Sequence, residues 1–74
     1  MPTIYVYLLD EGTDVWRPVD AVHVEGSKYR IVGVNVDPDD EQWQFKTDQV
    51  VLCESRELSD GACLVAVAAA QYDL

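Results

Sequence analysis

The sequence predicts a small all-β protein, a barrel or sandwich of five or six short strands. Three observations carry that expectation. Apolar and β-branched residues come in short runs that alternate at about period two, as in residues 2–9 and 29–36. Turn-forming clusters punctuate those runs at 10–14, 25–28, 37–41, 47–49 and 57–61. Helical periodicity is almost absent. The 74 residues suit one domain spanning 1–74, small enough to bury only ~60% of the surface its unfolded chain exposes.

The elements follow in order. Residues 2–9, rich in Ile, Tyr, Val and Leu, read as the first strand. Asp10 to Asp14 is a turn, and Gly12 supplies the backbone freedom a tight reversal needs. Val15 to Glu25 is the second strand, interrupted at Pro18. Proline donates no ladder hydrogen bond, so Arg17-Pro18 belongs at an edge, a bulge or a bend. Glu25-Gly26-Ser27-Lys28 links it to a third strand over Tyr29 to Val36. The loop Asp37-Pro38-Asp39-Asp40-Glu41 is too charged and turn-prone to continue that strand.

Gln42 to Lys46 reads as a short fourth strand with Trp43 and Phe45 on one face, because side chains two apart point the same way. Val50 to Ser55 is the fifth strand and Ala62 to Ala68 the sixth, the latter Ala-rich enough to admit a short helix instead. A strongly bent five-stranded barrel of the SH3-like type fits this length best. Val6, Leu8, Val15, Val22, Ile31, Val34, Phe45, Val51 and Leu64 are the expected core.

Composition narrows the function. Apolar residues make up 49% of the chain, enough for a globular core. No apolar run reaches the ~18 residues of a membrane span, and the start Met1-Pro2-Thr3-Ile4-Tyr5 lacks the basic residues of a signal peptide, so a soluble cytoplasmic protein is expected. Fourteen acidic residues against 5 basic ones give a net charge of −9. The basic residues, Arg17, Lys28, Arg30, Lys46 and Arg56, are scattered, which argues against direct binding to a phosphate backbone.

Catalytic and metal chemistry find little support. Cys53 and Cys63 lack the companions of a zinc site and lie in apolar surroundings, where free cysteine acts as a small core residue. If 50–55 and 62–68 form a hairpin centred near Leu58, the two thiols face each other and a disulfide is geometrically conceivable, although a cytosolic compartment disfavours it. Asp37, Asp39, Asp40 and Glu41 lack the Gly and the distal Glu of a calcium loop and read as a solvated turn. His23 lies in a Val-rich strand with nothing to pair it with either cysteine as a nucleophile and base. No phosphate loop or Ser-His-Asp pattern is present. The expectation is a non-enzyme without metal or cofactor.

Binding residues are easier to nominate. Trp16 and Trp43 can line a groove for an extended peptide, and the acidic turn of Asp10, Glu11 and Asp14 can attract a basic residue of that ligand. The competing reading keeps the large aromatics for the core. Arg17, flanked by Trp16 and Pro18, is expected to stack on an aromatic and fork onto a carboxylate, pinning a loop such as 37–41.

The run Asp10-Glu11-Gly12-Thr13-Asp14-Val15-Trp16-Arg17-Pro18-Val19 followed by Ala21 resembles the opening of a group of small uncharacterised bacterial proteins. Tyr29-Arg30-Ile31, Glu41-Gln42-Trp43-Gln44-Phe45 and Val51-Leu52-Cys53-Glu54 extend the resemblance over about residues 5–65. The chain carries Lys46-Thr47-Asp48 where that group has a Pro-Gly turn. The resemblance implies an SH3-like barrel and supplies no catalytic residues.

Two functions compete. The first is a non-catalytic protein-interaction module. The second is an acidic mimic of nucleic acid that blocks a DNA- or RNA-binding protein. A mimic needs its carboxylates on one face, and their spread among loops along the chain favours the module. A third reading, an enzyme subunit with a site shared across a homo-oligomer, would require pairing through a strand edge at 2–9 or 62–68.

Overall fold

Alternation drives the first strand, β1 (Thr3–Leu9), in which Ile4, Val6 and Leu8 are buried and Tyr5 and Tyr7 lie half-covered on the opposite face. The computed structural model describes residues 2–58 and 61–70. The other strands are β2 (Trp16–Glu25), β3 (Lys28–Ile31), β4 (Gln42–Trp43), β5 (Val50–Leu58) and β6 (Gly61–Ala69). The described residues include no helix, so the Ala-rich stretch is strand.

β1, β2, β3, β5 and β6 pair in turn as antiparallel neighbours, and β6 returns to β1. Five strands that alternate in direction begin and end pointing the same way. The closing pair, Tyr5 opposite Val65, is therefore parallel. The ring so formed removes most of the free edge an open sheet would expose.

β4 stands outside that cycle. Leu8 N–H donates to Val15 O at 2.9 Å, while Tyr7 O, at the other end of the same peptide, accepts from Gln44 N–H at 2.9 Å. These two groups point to opposite edges of β1. One edge thus carries β2, and the other is shared by β6 at Tyr5 and β4 at Leu8–Leu9. Within β1, Tyr5 and Leu8 thus have neighbours on both edges.

The core runs through the ring. Ile4, Val6, Ala21, Ile31, Val51 and Val65 are wholly buried, and Leu8, Val19, Trp43, Phe45, Cys53 and Ala66 nearly so. Of the expected core, Val6, Leu8, Ile31, Phe45 and Val51 are buried, and Val15 and Leu64 pack against the cluster. Val22 and Val34 are exposed. Val22 has the wrong phase: Val19 and Ala21 turn inward, so Val22 turns out.

Val34 is exposed because the third strand stops at Ile31 rather than at Val36. There the chain leaves the ladder: Val32 N–H and Gly33 N–H both donate to Asp20 O, at 2.9 and 3.0 Å. A Cβ on Gly33 would lie 3.2 Å from Asp20 N and 3.3 Å from Val19 Cβ, so glycine permits the close approach. Likewise the fourth strand is only Gln42–Trp43, although Trp43 and Phe45 do turn to one side and are both buried.

The β5–β6 hairpin is longer than its sequence pattern implied, and its tip lies outside the described residues. Its register sets Cys53 opposite Ala66 and Cys63 opposite Arg56, so the two thiols do not face each other. Both are free. Burial pushes the Cys53 thiol up to about 11, while Cys63, half-buried, donates to Gly61 O at 3.5 Å. At pH 8 a thiol reagent is expected to modify Cys63 in the native protein and Cys53 only after unfolding. Equal native rates would contradict that assignment.

Candidate functional site

The site begins with the parity of β2. Val19 and Ala21 face the core, and Arg17 shares their phase but sits at the end of the ring opposite Val6. A charged side chain there needs a partner. Arg17 Nε donates to Glu41 Oε1 at 3.0 Å, and its Nη2 pairs with Glu41 Oε2. Trp43 Nε1 also donates to Glu41 Oε1, at 3.1 Å. This is the fork onto the 37–41 loop expected of Arg17.

The loop is tied throughout. Asn35 Nδ2 donates to Glu41 O at 2.8 Å, and Asn35 Oδ1 accepts from Asp37 N–H at 3.0 Å. Asp40 N–H and Glu41 N–H both close onto Asp37 O. Gln42 Nε2 reaches Pro38 O at 2.8 Å. Thr47 Oγ1 holds Gly33 O at 2.5 Å from the other side.

Between this loop and β2 lies a cleft of about 530 Å³. Arg17 to Asp20 form one wall, residues 33–37 the other, and Trp43 and Glu41 line it as well. A second hollow of about 330 Å³ adjoins it and shares Val34, Asn35, Glu41 and Trp43. Val34 and Val36, 67% and 92% exposed, are the most exposed large apolar residues among those described.

Trp16 belongs elsewhere. Its ring meets Tyr7 edge-on with centroids 5.2 Å apart, and Tyr7 OH donates to Asp14 Oδ1 at 3.1 Å. These three line a shallower hollow of about 320 Å³ with Arg56. The structure thus separates the residues nominated together: Arg17 and Trp43 share one cleft, and Trp16 and Asp14 share another. Asp10 and Glu11 are exposed on the turn, where Asp10 (φ 62°) and Gly12 (φ 77°) take left-handed conformations. Val34 and Val36 were not nominated. Locally Val32-Gly33-Val34-Asn35-Val36 alternates like a strand, so no short-range signal marked the two valines as exposed.

Folding also gathers charge. Leu9 pairs with Gln42, so the 10–14 turn and the 37–41 loop meet at one end of the ring. They hold seven of the chain's 14 acidic residues, so two of the acidic loops spread along the sequence lie side by side. Crowding has a cost: the charge of Asp40 raises the Asp37 carboxyl above its ordinary range. No group of three or more His, Cys, Asp or Glu able to hold a metal ion occurs among the described residues. His23, on the exposed β2–β3 hairpin, spends its Nε2 on Gly26 O at 2.8 Å and its ring on Tyr29. The raised pKa of Cys53 is the reverse of nucleophile activation.

The hydrogen bonds from Arg17 and then Trp43 hold the Glu41 carboxyl below its ordinary value of 4.5. A lowered folded-state pKa contributes stability that is present above the unfolded value and lost as pH falls through the folded one. In an Asp37→Asn background, which removes a carboxyl titrating with the opposite sign, Glu41→Gln is expected to lower the Tm at pH 7. The difference should shrink progressively below about pH 4.5. A difference independent of pH would show that the fork contributes nothing through the charge of Glu41.

No protein-family model, curated protein or solved structure matches the chain. No helix among the described residues is long and apolar enough to cross a membrane.

Proposed function

We propose that the chain is a non-catalytic protein-interaction module, built on an SH3-like barrel, that binds through the cleft between β2 and residues 33–37. One observation carries this reading: two exposed valines, Val34 and Val36, stand beside a cleft lined by Trp43. Exposed apolar residues next to a concavity with a tied wall are what a docking surface offers. The closed order of five paired strands within 74 residues supports the barrel. The net charge of −9 speaks against a nucleic-acid ligand.

The test compares the tagged wild type with a Val34→Asp, Val36→Asp double variant in native lysate, washed at low and then high salt. A partner held at high salt by the wild type and lost by an equally stable variant supports the module. Partners identical for both proteins refute it. The acidic mimic remains the second reading, favoured by the gathering of 10–14 with 37–41 at one end. It predicts a nucleic-acid-binding partner that is released by salt and indifferent to the two valines.

A further inference from the structure

Backbone groups, rather than side chains, distinguish this cleft. Successive residues of a strand present their N–H and C=O to alternate edges. In β2, Ala21 N–H turns toward β1 and donates to Pro2 O, whereas Asp20 O turns away and receives Val32 and Gly33. Pro18 shares the phase of Asp20, so its carbonyl faces the cleft it lines, and β3 pairs with β2 only from Ala21 onward. Pro18 lies where its missing N–H breaks no ladder, an edge position, one of the three settings (edge, bulge or bend) its sequence context allowed.

The opposite wall is an open edge too. Among the described residues, Val34, Asn35 and Val36 make no backbone–backbone hydrogen bond. The segment is nevertheless tethered at both ends, through Gly33 to Asp20 and through the Asn35 side chain to Glu41. A short stretch of unpaired backbone, held in place and flanked by exposed valines, is a template for an added strand.

Charge selects what is added. Arg17 and Glu41 neutralise each other across the cleft, which leaves Asp20 and Asp37 as the uncompensated charges among its walls. A second copy of the chain, itself carrying a net −9, would be repelled. A basic ligand would instead relieve the crowding of Asp37 against Asp40.

We infer that the cleft binds an extended, basic peptide segment of a partner protein, paired through its backbone with residues 34–36 and carrying Lys or Arg toward Asp20 and Asp37. This rests on the module reading above and adds the chemistry of the partner. The valines would receive the apolar side chains on one face of the segment, while the cations alternate with them on the other.

The probe is an end-blocked ten-residue peptide alternating Lys with Val and Thr, beside the same peptide with Glu for Lys and one N-methylated at every second residue. Binding is followed by amide chemical shifts. The lysine peptide should move the amides of residues 33–37 and Asp20, and the glutamate peptide should not bind. N-methylation should weaken binding about tenfold, as expected for two lost hydrogen bonds. Asp37→Asn and Asp20→Asn should each weaken it about two- to fivefold, with the Tm of each variant showing that it is folded.

Indifference to N-methylation, equal binding of the glutamate peptide, or no binding at all overturns the inference. So does a wild-type dimer in solution that Val36→Lys dissociates, since that assigns the cleft to a second copy. The module reading is judged separately, by partner retention in the valine variant, so the failure of one is distinguishable from the failure of the other.

Discussion

Trp43→Ala is expected to remove a large share of the protein's stability. Trp43 is 8% exposed, packs in the cluster with Phe45 and Leu8, and donates to Glu41. Truncating a buried tryptophan costs about 3–5 kcal/mol. A chain of this length has a total stability of only ~4–11 kcal/mol. Urea denaturation should show a large fall in midpoint with an unchanged slope. Trp16→Ala is the informative contrast. Trp16 is half-exposed and rests on Tyr7 alone among the aromatic rings described, so its loss should cost under about 1.5 kcal/mol. If the two costs were reversed, the division of core from surface between the tryptophans would be wrong. The same contrast determines which mutants can probe function: a binding defect in Trp43→Ala would report unfolding, whereas Val34 and Val36 can be changed without touching the core.

Ile31→Ala is the second large effect, expected to cost about 2–5 kcal/mol. Ile31 is wholly buried where β3 ends. Its N–H donates to Gln49 O at 3.0 Å, and its carbonyl accepts from Asp48 N–H at 2.8 Å. These bonds fasten the 46–49 turn to β3 just before the chain crosses to Gly33. A cavity at this point should loosen the cleft wall as well as the core. Amide exchange in Ile31→Ala should therefore accelerate first at residues 32–33 and 48–49, and later in β1. Uniform acceleration throughout the ring would show that this corner opens only with the whole fold.

The pH behaviour of the Arg17–Glu41 fork and the graded reactivity of the two thiols test the same architecture at lower amplitude. Each depends on one end of the ring being closed by a side-chain pair and on Cys53 pointing inward in β5. Neither requires any view of function.

Local sequence determined much of the fold. Alternation at 2–9, Gly12 in its turn, the edge position of Pro18 and the strand character of 50–55 all express preferences that act within a few residues. The pin from Arg17 to a loop such as 37–41 was also legible, because a guanidinium between Trp16 and Pro18 in an acidic chain forks readily onto a carboxylate and that loop is the densest in them.

The end of β3 was decided by tertiary structure. Val32-Gly33-Val34-Asn35-Val36 alternates like a strand, yet Gly33 lets the backbone press onto Asp20, and the ladder stops. Strand phase was likewise not local: Val22 is as apolar as Ala21, and only register against β1 and β3 turned one out and the other in. The same pairing of Leu9 with Gln42 drew two acidic loops, far apart in sequence, to one end of the ring. Composition and alternation thus established an all-β chain and its turns, since those depend on neighbours. The cleft, the exposed valines and the unpaired backbone beside them arise from long-range pairing, which no short stretch of sequence encodes.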